Sequence, residues 1–448
     1  MSNEKAETAA VPEPEWAAFV ALDWADQKHH WRLAVAGSQK QKQEQGELDN
    51  TPEAVAAWVA DLNVRFGGRP IAVCLEQTRG ALVYMLLKFP QLVLFPVNPK
   101  TAACFREAFY PSGSKGDPGD TDVLLDILLH HRDRLRRLKP DTVETRLLQR
   151  LVEQRRRMVN EKTRQSNRLT ACLKLYFPQI LKLFDDVTSP LVGALLERWP
   201  NLEQLQRAHD GTLRDFFHKQ NCRSKERNQE RIEAIRQAVP ATTDVAVLEG
   251  EAMVAHCLVK LIATLRDNIT ELDERIAKAF AAHPEKVLFD GLPGAAAVLA
   301  PRLLVAFGTD RERFASAHEM ECYSGIAPVT EASGQSEWIH FRWACPKFLR
   351  QTFHEFAGHS IAKSEWARAF YDLQIGKGKE HHAAVRALAF KWIRVLFACW
   401  KNRTPYDEQI YLQSLRKRNS PLKALLPPGG ALGWKDVAGF QKLSEDPS

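Results

Sequence analysis

Residues 18–37 read AFVALDWADQKHHWRLAVAG. Two apolar runs, at 19–22 and 31–36, flank a polar DWADQKHH. Runs this short, bounded by turn-forming residues, read as two strands around a tight connection. The first ends on a carboxylate, Asp23. Downstream, NTPEAVAAWVADLNVRF (50–66) carries helix-start signals. Thr51 can cap, Pro52 suits the first helical position, and Glu53 favours the positive end of the helix dipole. RPIAVCLE (69–76) reads as a buried strand that ends on a second carboxylate, Glu76. ALVYMLLKFP (81–90) reads as a helix and QLVLFPVNP (91–99) as another strand. Strands alternating with helices over residues 16–140 predict an α/β domain.

The full chain of 448 residues suits two or three domains rather than one small core. Hydrophobic residues at 45% and charged residues at 26% exclude a wholly disordered or fibrous chain. The net charge of +7 favours an anionic partner. No apolar run reaches 18 residues, so no membrane-spanning helix is expected. Residues 1–15 are polar and acidic, unlike a secretory signal, and read as a disordered leader. Eight cysteines form no CxxC pair, which argues against a zinc site or a disulfide framework. They are expected as buried free thiols in a reducing cytoplasm.

The pattern changes at Asp141. Residues 141–285 hold two long amphipathic stretches, one ending near Pro178 and one over about 249–282, with apolar residues three and four apart. They are expected to pair as an antiparallel coiled coil around a polar helical insert at about 180–248. Residues 286–415 read as a mixed, mostly helical domain, and 416–448 as a Pro/Gly-rich tail. The expected fold is therefore α/β plus α.

Chemistry gathers at 112–132, SGSKGDPGDTDVLLDILLHHR. Asp117 and Asp120 stand three apart at a helix start, on one face. Open α/β sheets collect functional groups at strand ends. Asp23, Glu76, Asp117 and Asp120, converging there, can hold two divalent ions such as magnesium, which prefers oxygen ligands. Two such ions can activate an attacking oxygen and stabilise a leaving one on a phosphodiester. Taken singly, each acid reads as readily as a helix cap or a turn residue. Asp122 and Asp126 face differently and are expected to be solvated.

FVALDWADQKHHWRLAV, AVCLEQTRG and SGSKGDPGDTDVLLDILL together resemble the DEDD transposases of bacterial insertion sequences. YSGIAPVTEASGQSEWIHFRWACPKFLRQ resembles that family's C-terminal transposase domain. The likeness spans about residues 17–415, with both motif blocks in order. It implies an RNase H-like (RuvC-like) N-terminal domain whose four acids match Asp23, Glu76, Asp117 and Asp120 and bind magnesium. It implies that Ser333 attacks DNA and forms a transient phosphoserine link. It further implies a guide (bridge) noncoding RNA that pairs with donor and target DNA, and a homodimer that assembles into a homotetramer. The expected setting is a bacterial cytoplasm, at the nucleoid, with no membrane partner. Cys345-Pro346 stands where Gly-Asn is frequent in the family, a departure within the segment expected to contact DNA.

From the residues alone, Ser333-Gly334 reads as a turn, because a serine hydroxyl is a weak nucleophile unless activated. Ser324 and Ser336 are nearby rivals. Arg342, Lys347 and Arg350 are candidate phosphate ligands. Trp338, Phe341 and Trp343 can stack on bases, although an aromatic stripe is more often core. Residues 132–168 hold 13 Lys/Arg against 5 Asp/Glu. Arg155, Arg156, Arg157, Arg164 and Arg168 there are candidate nucleic-acid contacts or a solvated helix flank. His29-His30 and His381-His382 read as surface or nucleic-acid-contacting residues without a metal role. A rival to the whole reading is a metal-dependent, structure-specific endonuclease of RuvC type that uses the acids alone. A non-catalytic nucleic-acid-binding protein is a third.

Overall fold

The computed structural model describes residues 15–37, 43–109, 117–418 and Leu422. The leader and most of the tail fall outside these residues. The chain divides after Pro140 into two units, 1–140 and 141–448, and each is described by itself.

The first unit contains β1 (Ala18–Asp23), β2 (Lys28–Val35), β3 (Gln43–Asp49), α1 (Pro52–Phe66), β4 (Ile71–Leu75), α2 (Ala81–Leu86), β5 (Leu92–Pro96), α3 (Pro99–Phe109) and α4 (Asp117–His131). Its sheet runs β3-β2-β1-β4-β5. β1, β2 and β3 are antiparallel, while β4 and β5 run parallel to β1. This mixed order is consistent with an RNase H-like domain. The interior strand β4, IAVCL, is buried at every position, which is why it reads as a continuous apolar run. Alternate residues serve two cores. Val20, Leu22, Val73 and Leu75 pack with Val55, Val59 and Leu62 of α1. Ala21, Ala72 and Cys74 pack with Val123, Leu124 and Leu128 of α4. Thr51 caps α1 as its sequence indicates, accepting from the Ala54 N–H at 3.2 Å, an interaction worth about 1 kcal/mol.

β3 is a strand that sequence reading passes over. QEQGELD is polar because it is an edge strand, and only Leu48 is buried. Gly46 is required by close approach: it pairs with Trp31, and a Cβ there would lie 2.6 Å from that ring. The Trp31 ring goes on to pack against Trp58 at 6.1 Å between centroids.

The second unit begins with α5 (Val143–Tyr176) and five shorter helices, α6 (Gln179–Leu183), α7 (Pro190–Arg198), α8 (Leu202–Arg207), α9 (Asp210–Lys219) and α10 (Lys225–Gln237). It continues through α11 (Val245–Ala281), α12 (Ala296–Phe307), α13 (Ala317–Tyr323), β6 (Val329–Ser333), β7 (Ser336–His340), α14 (Lys347–Ser360), α15 (Glu365–Gly376), α16 (His381–Asn402) and α17 (Glu408–Lys417). α5 and α11 pack antiparallel. Thr145 meets His283 near one end, Arg155 meets Asp273 in the middle, and the Cys172 thiol reaches the Glu251 carbonyl near the other.

The insert at 180–248 is more than a polar appendage. Phe184, Leu195, Trp199, Phe216 and Phe217 form a core of their own with Leu169 and Leu173 of α5. The C-terminal part is built on Trp366, Trp392 and Trp400, packed with Phe307, Phe353 and Phe356. Each buried indole N–H finds an acceptor, Tyr406 Oη, Ser360 Oγ and the Gly308 carbonyl respectively, at 2.7–2.8 Å. No helix among the described residues is long and apolar enough to cross a membrane.

The eight cysteines are free, but the expectation that all are buried is corrected. Cys74 and Cys172 are buried, whereas Cys104 and Cys257 are exposed. Burial pushes the Cys172 thiol up to about 12.

Candidate active site

Asp23 closes β1 and Glu76 follows β4 directly. The parallel register pairs Leu22 with Leu75, so the next step sets Asp23 beside Glu76 at the carboxyl ends of adjacent strands. Side chains alternate along a strand. Asp23 therefore shares a face with Ala21, and Glu76 with Cys74, and that is the face α4 covers. The direction of α4 is fixed at both ends. Near its start, Asp122 pairs with Arg32 of β2, whose register partner is Ala21 (N···O 2.6 Å). Just past its end, Arg132 stacks over Phe19. α4 thus runs antiparallel to β1, and its first turn, holding Asp117 and Asp120, lies at the level of the strand ends.

The Asp117 side chain lies outside the described residues. Asp120 is half-buried and ion-paired with Arg106 of α3. The contact lacks hydrogen-bond geometry: Asp120 Oδ1 and Arg106 Nε are buried, and neither has a hydrogen-bond partner. Among the described residues, no three His, Cys, Asp or Glu side chains gather closely enough to hold a metal ion. The all-oxygen donor set and the register-adjacent pair nevertheless fit a hard cation such as magnesium. Asp122 is not solvated as expected. It is half-buried against Arg32, and desolvation outweighs the guanidinium in pushing its carboxyl up.

Ser333 ends β6 and pairs with Ser336 across a two-residue turn, Gly334-Gln335. Gly334 has φ +60 while Gln335 lies outside the left-handed region, the pattern of a type II′ hairpin with glycine first. A Cβ on Gly334 would meet nothing within 4 Å, so conformation rather than space selects glycine here. β7 and nearly all of β6, Ser333 included, are exposed. Its rival Ser324 is fully buried and donates to the Glu321 carbonyl at 3.2 Å.

The aromatic stripe beyond the serine is not core. Trp338 is 55% and Trp343 77% exposed, while Phe341 is partly covered by arginines. Arg342 donates to the Ala327 and Pro328 carbonyls at 3.1 and 3.2 Å. Arg350 reaches the Arg342 carbonyl at 3.2 Å, and Lys347 is exposed at the start of α14.

The arginines of α5 divide. Arg155 pairs with Asp273 of α11, and Arg156 with Glu355 of α14 at 3.2 Å, so both charges are met within the unit. Arg157, Arg164 and Arg168 are exposed, the latter two in contact with Glu161 and Gln165 of their own helix.

His29 corrects another expectation, for it is buried, not a surface residue. Its Nδ1 accepts from the Ala25 N–H at 3.2 Å, and its other nitrogen lies 3.1 Å from Asn50 Oδ1. The acceptor role of Nδ1 places the proton on Nε2, which donates to Asn50. Burial lowers the imidazole pKa. His29 and Asn50 therefore hold the turn after Asp23, a task for which nothing in KHHWRLAV sets His29 apart from its neighbour His30.

A family model described as a transposase, of the DEDD type of IS110, matches residues 20–178. A second, described as "Transposase IS116/IS110/IS902 family", matches residues 287–372. The chain is similar to the "Mini-circle putative transposase for IS117" of Streptomyces coelicolor, 27% identical over 87% of this chain and 95% of that protein. It is equally similar to the "Insertion element IS110 uncharacterized 43.6 kDa protein" of the same organism, over 88% and 96%. The "Insertion element IS900 uncharacterized 42 kDa protein" of Mycobacterium paratuberculosis is 25% identical over 78% of this chain and 84% of its own. The two matched blocks cover more than half the chain, in the order in which the acids and the hairpin occur. On that evidence the chain belongs to the IS110 family of DEDD transposases, enzymes that act on DNA in transposition.

Proposed function

We propose that the protein cuts and rejoins DNA at the ends of an insertion element through a covalent phosphoserine formed by Ser333. The observation that carries the reading is the pair Asp23–Glu76, adjacent in parallel register beneath the first turn of α4. With Asp120 and Asp117 they would hold magnesium, which when bound supplies positive charge against the charge that develops on the phosphate. Ser333 would bond its Oγ to phosphorus as one deoxyribose oxygen leaves and takes up a proton. Attack by a hydroxyl of another strand then re-forms a phosphodiester and returns the serine. The link conserves bond energy, so strands are exchanged without an external energy source. The exposed position of the hydroxyl supports this role, because a duplex can reach it.

The same reading includes guidance by a noncoding bridge RNA and assembly of a homodimer into a homotetramer on donor and target DNA. Arg157, Arg164 and Arg168, exposed along α5, support contact with a phosphate backbone. Lys347 and Arg350 support DNA contact beside the hairpin, whereas Arg155 and Arg156 are assigned to holding helices together.

The test is a denaturing gel with protein, the element's joined ends, the noncoding RNA encoded beside the gene, and magnesium. Labelled DNA should remain attached to protein in detergent, and the adduct should vanish in Ser333→Ala. Cleavage that persists in Ser333→Ala without any adduct would replace the serine reading with a metal nuclease that uses the acids alone.

A further inference from the structure

We infer that Arg342, Arg350 and Arg386 form a phosphate-binding pocket at the root of the β6–β7 hairpin, and that it grips the DNA strand a few nucleotides from the phosphate presented to Ser333. The inference rests on the serine reading above and adds to it a binding site and a residue, Arg386, that sequence reading does not single out.

Three segments deliver the cations. Arg342 lies between β7 and α14, Arg350 on α14 and Arg386 on α16. The guanidiniums of Arg350 and Arg386 both lie over the Phe341 ring, 4.6 and 4.5 Å from its centroid. Beside Arg386 opens a cavity of about 110 Å³, lined by Ile339, His340, Phe341, Arg342 and Arg386 together with residues 325–328, and Arg350 borders it through the Phe341 ring.

What distinguishes these arginines is the absence of a counter-charge. Several other buried or partly buried arginines of the same unit meet carboxylates: Arg302 with Glu355, Arg311 with Glu285, Arg155 with Asp273. Among the described residues, Arg342 and Arg350 meet backbone carbonyls instead. Arg386 is held below the usual guanidinium range by burial and by the charge of Arg350, with no carboxylate opposing them. Like charges crowded in a half-buried place raise the energy of the unliganded form, and an anion relieves it. Guanidinium forks match phosphate oxygens in pairs.

The hairpin supplies a ruler. From Ser336, opposite Ser333, to His340 at the pocket is four residues along β7, roughly 13 Å at strand rise. At about 3.4 Å of axis per nucleotide on one strand, that is about four nucleotides. A duplex laid along the hairpin would pass the exposed Trp338 and Ile339 and set one phosphate in the pocket while another reaches the tip.

Phosphate contacts are independent of sequence, so the test needs no knowledge of the target. Full-length protein is titrated with a labelled duplex DNA of arbitrary sequence, and with the same sequence as duplex RNA, in a magnesium-free buffer at several salt concentrations. Arg386→Gln should weaken DNA binding about tenfold and lower the slope of log K against log salt by about one. Arg386→Lys should keep the slope. Arg350→Gln, on a different helix, should repeat the loss and serves if Arg386→Gln does not fold. Unchanged slopes in both Gln variants with unaltered melting would overturn the pocket. A loss seen only with RNA would overturn its assignment to DNA. The measurement involves no covalent step, so an adduct that persists in Ser333→Ala would sink the serine reading while leaving the slopes to judge the pocket.

Discussion

The chain places its two candidate chemistries beside two very different turns. Asp23 is followed by residues 24–27, which are tied down by buried His29 and by Asn50. The Asn50 side chain donates to the Asp26 carbonyl at 3.0 Å and its backbone N–H to Gln27 at 2.8 Å. Ser333 is followed by Gly334-Gln335 on an exposed hairpin, held by the ladder and by one left-handed glycine. The acids are thus set by a packed sheet before any substrate arrives. The serine is set only by its turn, so its activation and final aim must come with DNA. The contrast fits a division of labour in which a packed acidic site is prepared in advance and an exposed nucleophile is committed late.

The largest effect should come from the packed side. Glu76→Gln and Asp23→Asn should each lower magnesium-dependent strand cleavage at least about a hundredfold. They should also abolish a magnesium-dependent rise in melting temperature that the wild type shows. Binding to the native state alone contributes about 2.7 kcal/mol at a hundred times Kd. Equal stabilisation of wild type and variants by magnesium would place the ion elsewhere and end the comparison.

Gly334→Ala probes the other turn. A Cβ at φ +60 costs about 1 kcal/mol, and nothing around the hairpin tip can absorb or repay it. Global melting should hardly move, since no buried core depends on the tip. Adduct formation should fall about tenfold as Ser333 loses its register with Ser336. An unchanged adduct yield would mean that bound DNA, rather than the turn, dictates where the serine points.

The sequence is legible where burial and chemistry agree. IAVCL is apolar because both faces of the sheet cover it, and TPE at 51–53 is a helix start by cap, ring and dipole alike. Asp23 and Glu76 stand at strand ends in the sequence, and parallel register puts those two ends side by side. Legibility fails where a residue's environment comes from distant segments. QEQGELD is polar as an edge strand must be, and its Gly46 marks a close-packed ring rather than a turn. The apolar residues of the insert are spread over five short helices, too brief for a periodic signal, yet they close a core. Arg155 and Arg156 look like Arg157 in the sequence, and only the opposing Asp273 and Glu355 set them apart. Arg386 sits in a helix with nothing to mark it until Phe341 and Arg350 come alongside.

The smallest predicted effect tests the latch beside Asp23. Burial lowers the His29 pKa from 6.5, so the imidazole is neutral in the fold and its Nδ1 can accept from Ala25. Protonation makes both ring nitrogens donors and orphans that N–H. Because the folded pKa lies below the unfolded one, the contribution of His29 is fully present above pH 6.5. It is lost as pH falls from there through the folded pKa. One hydrogen bond is at stake, about 1 kcal/mol. His283, His354 and His381 are lowered by burial too, so global melting will fall with pH for several reasons at once. The diagnostic measurement is therefore local. Hydrogen exchange at the Ala25 amide, corrected for its intrinsic rate, should lose protection between pH 7.5 and 5 in the wild type. In His29→Gln, which cannot titrate there, protection should be pH-independent. Parallel profiles in the two proteins would show that the imidazole does not hold this turn, and that Asp23 is no more firmly set than Ser333.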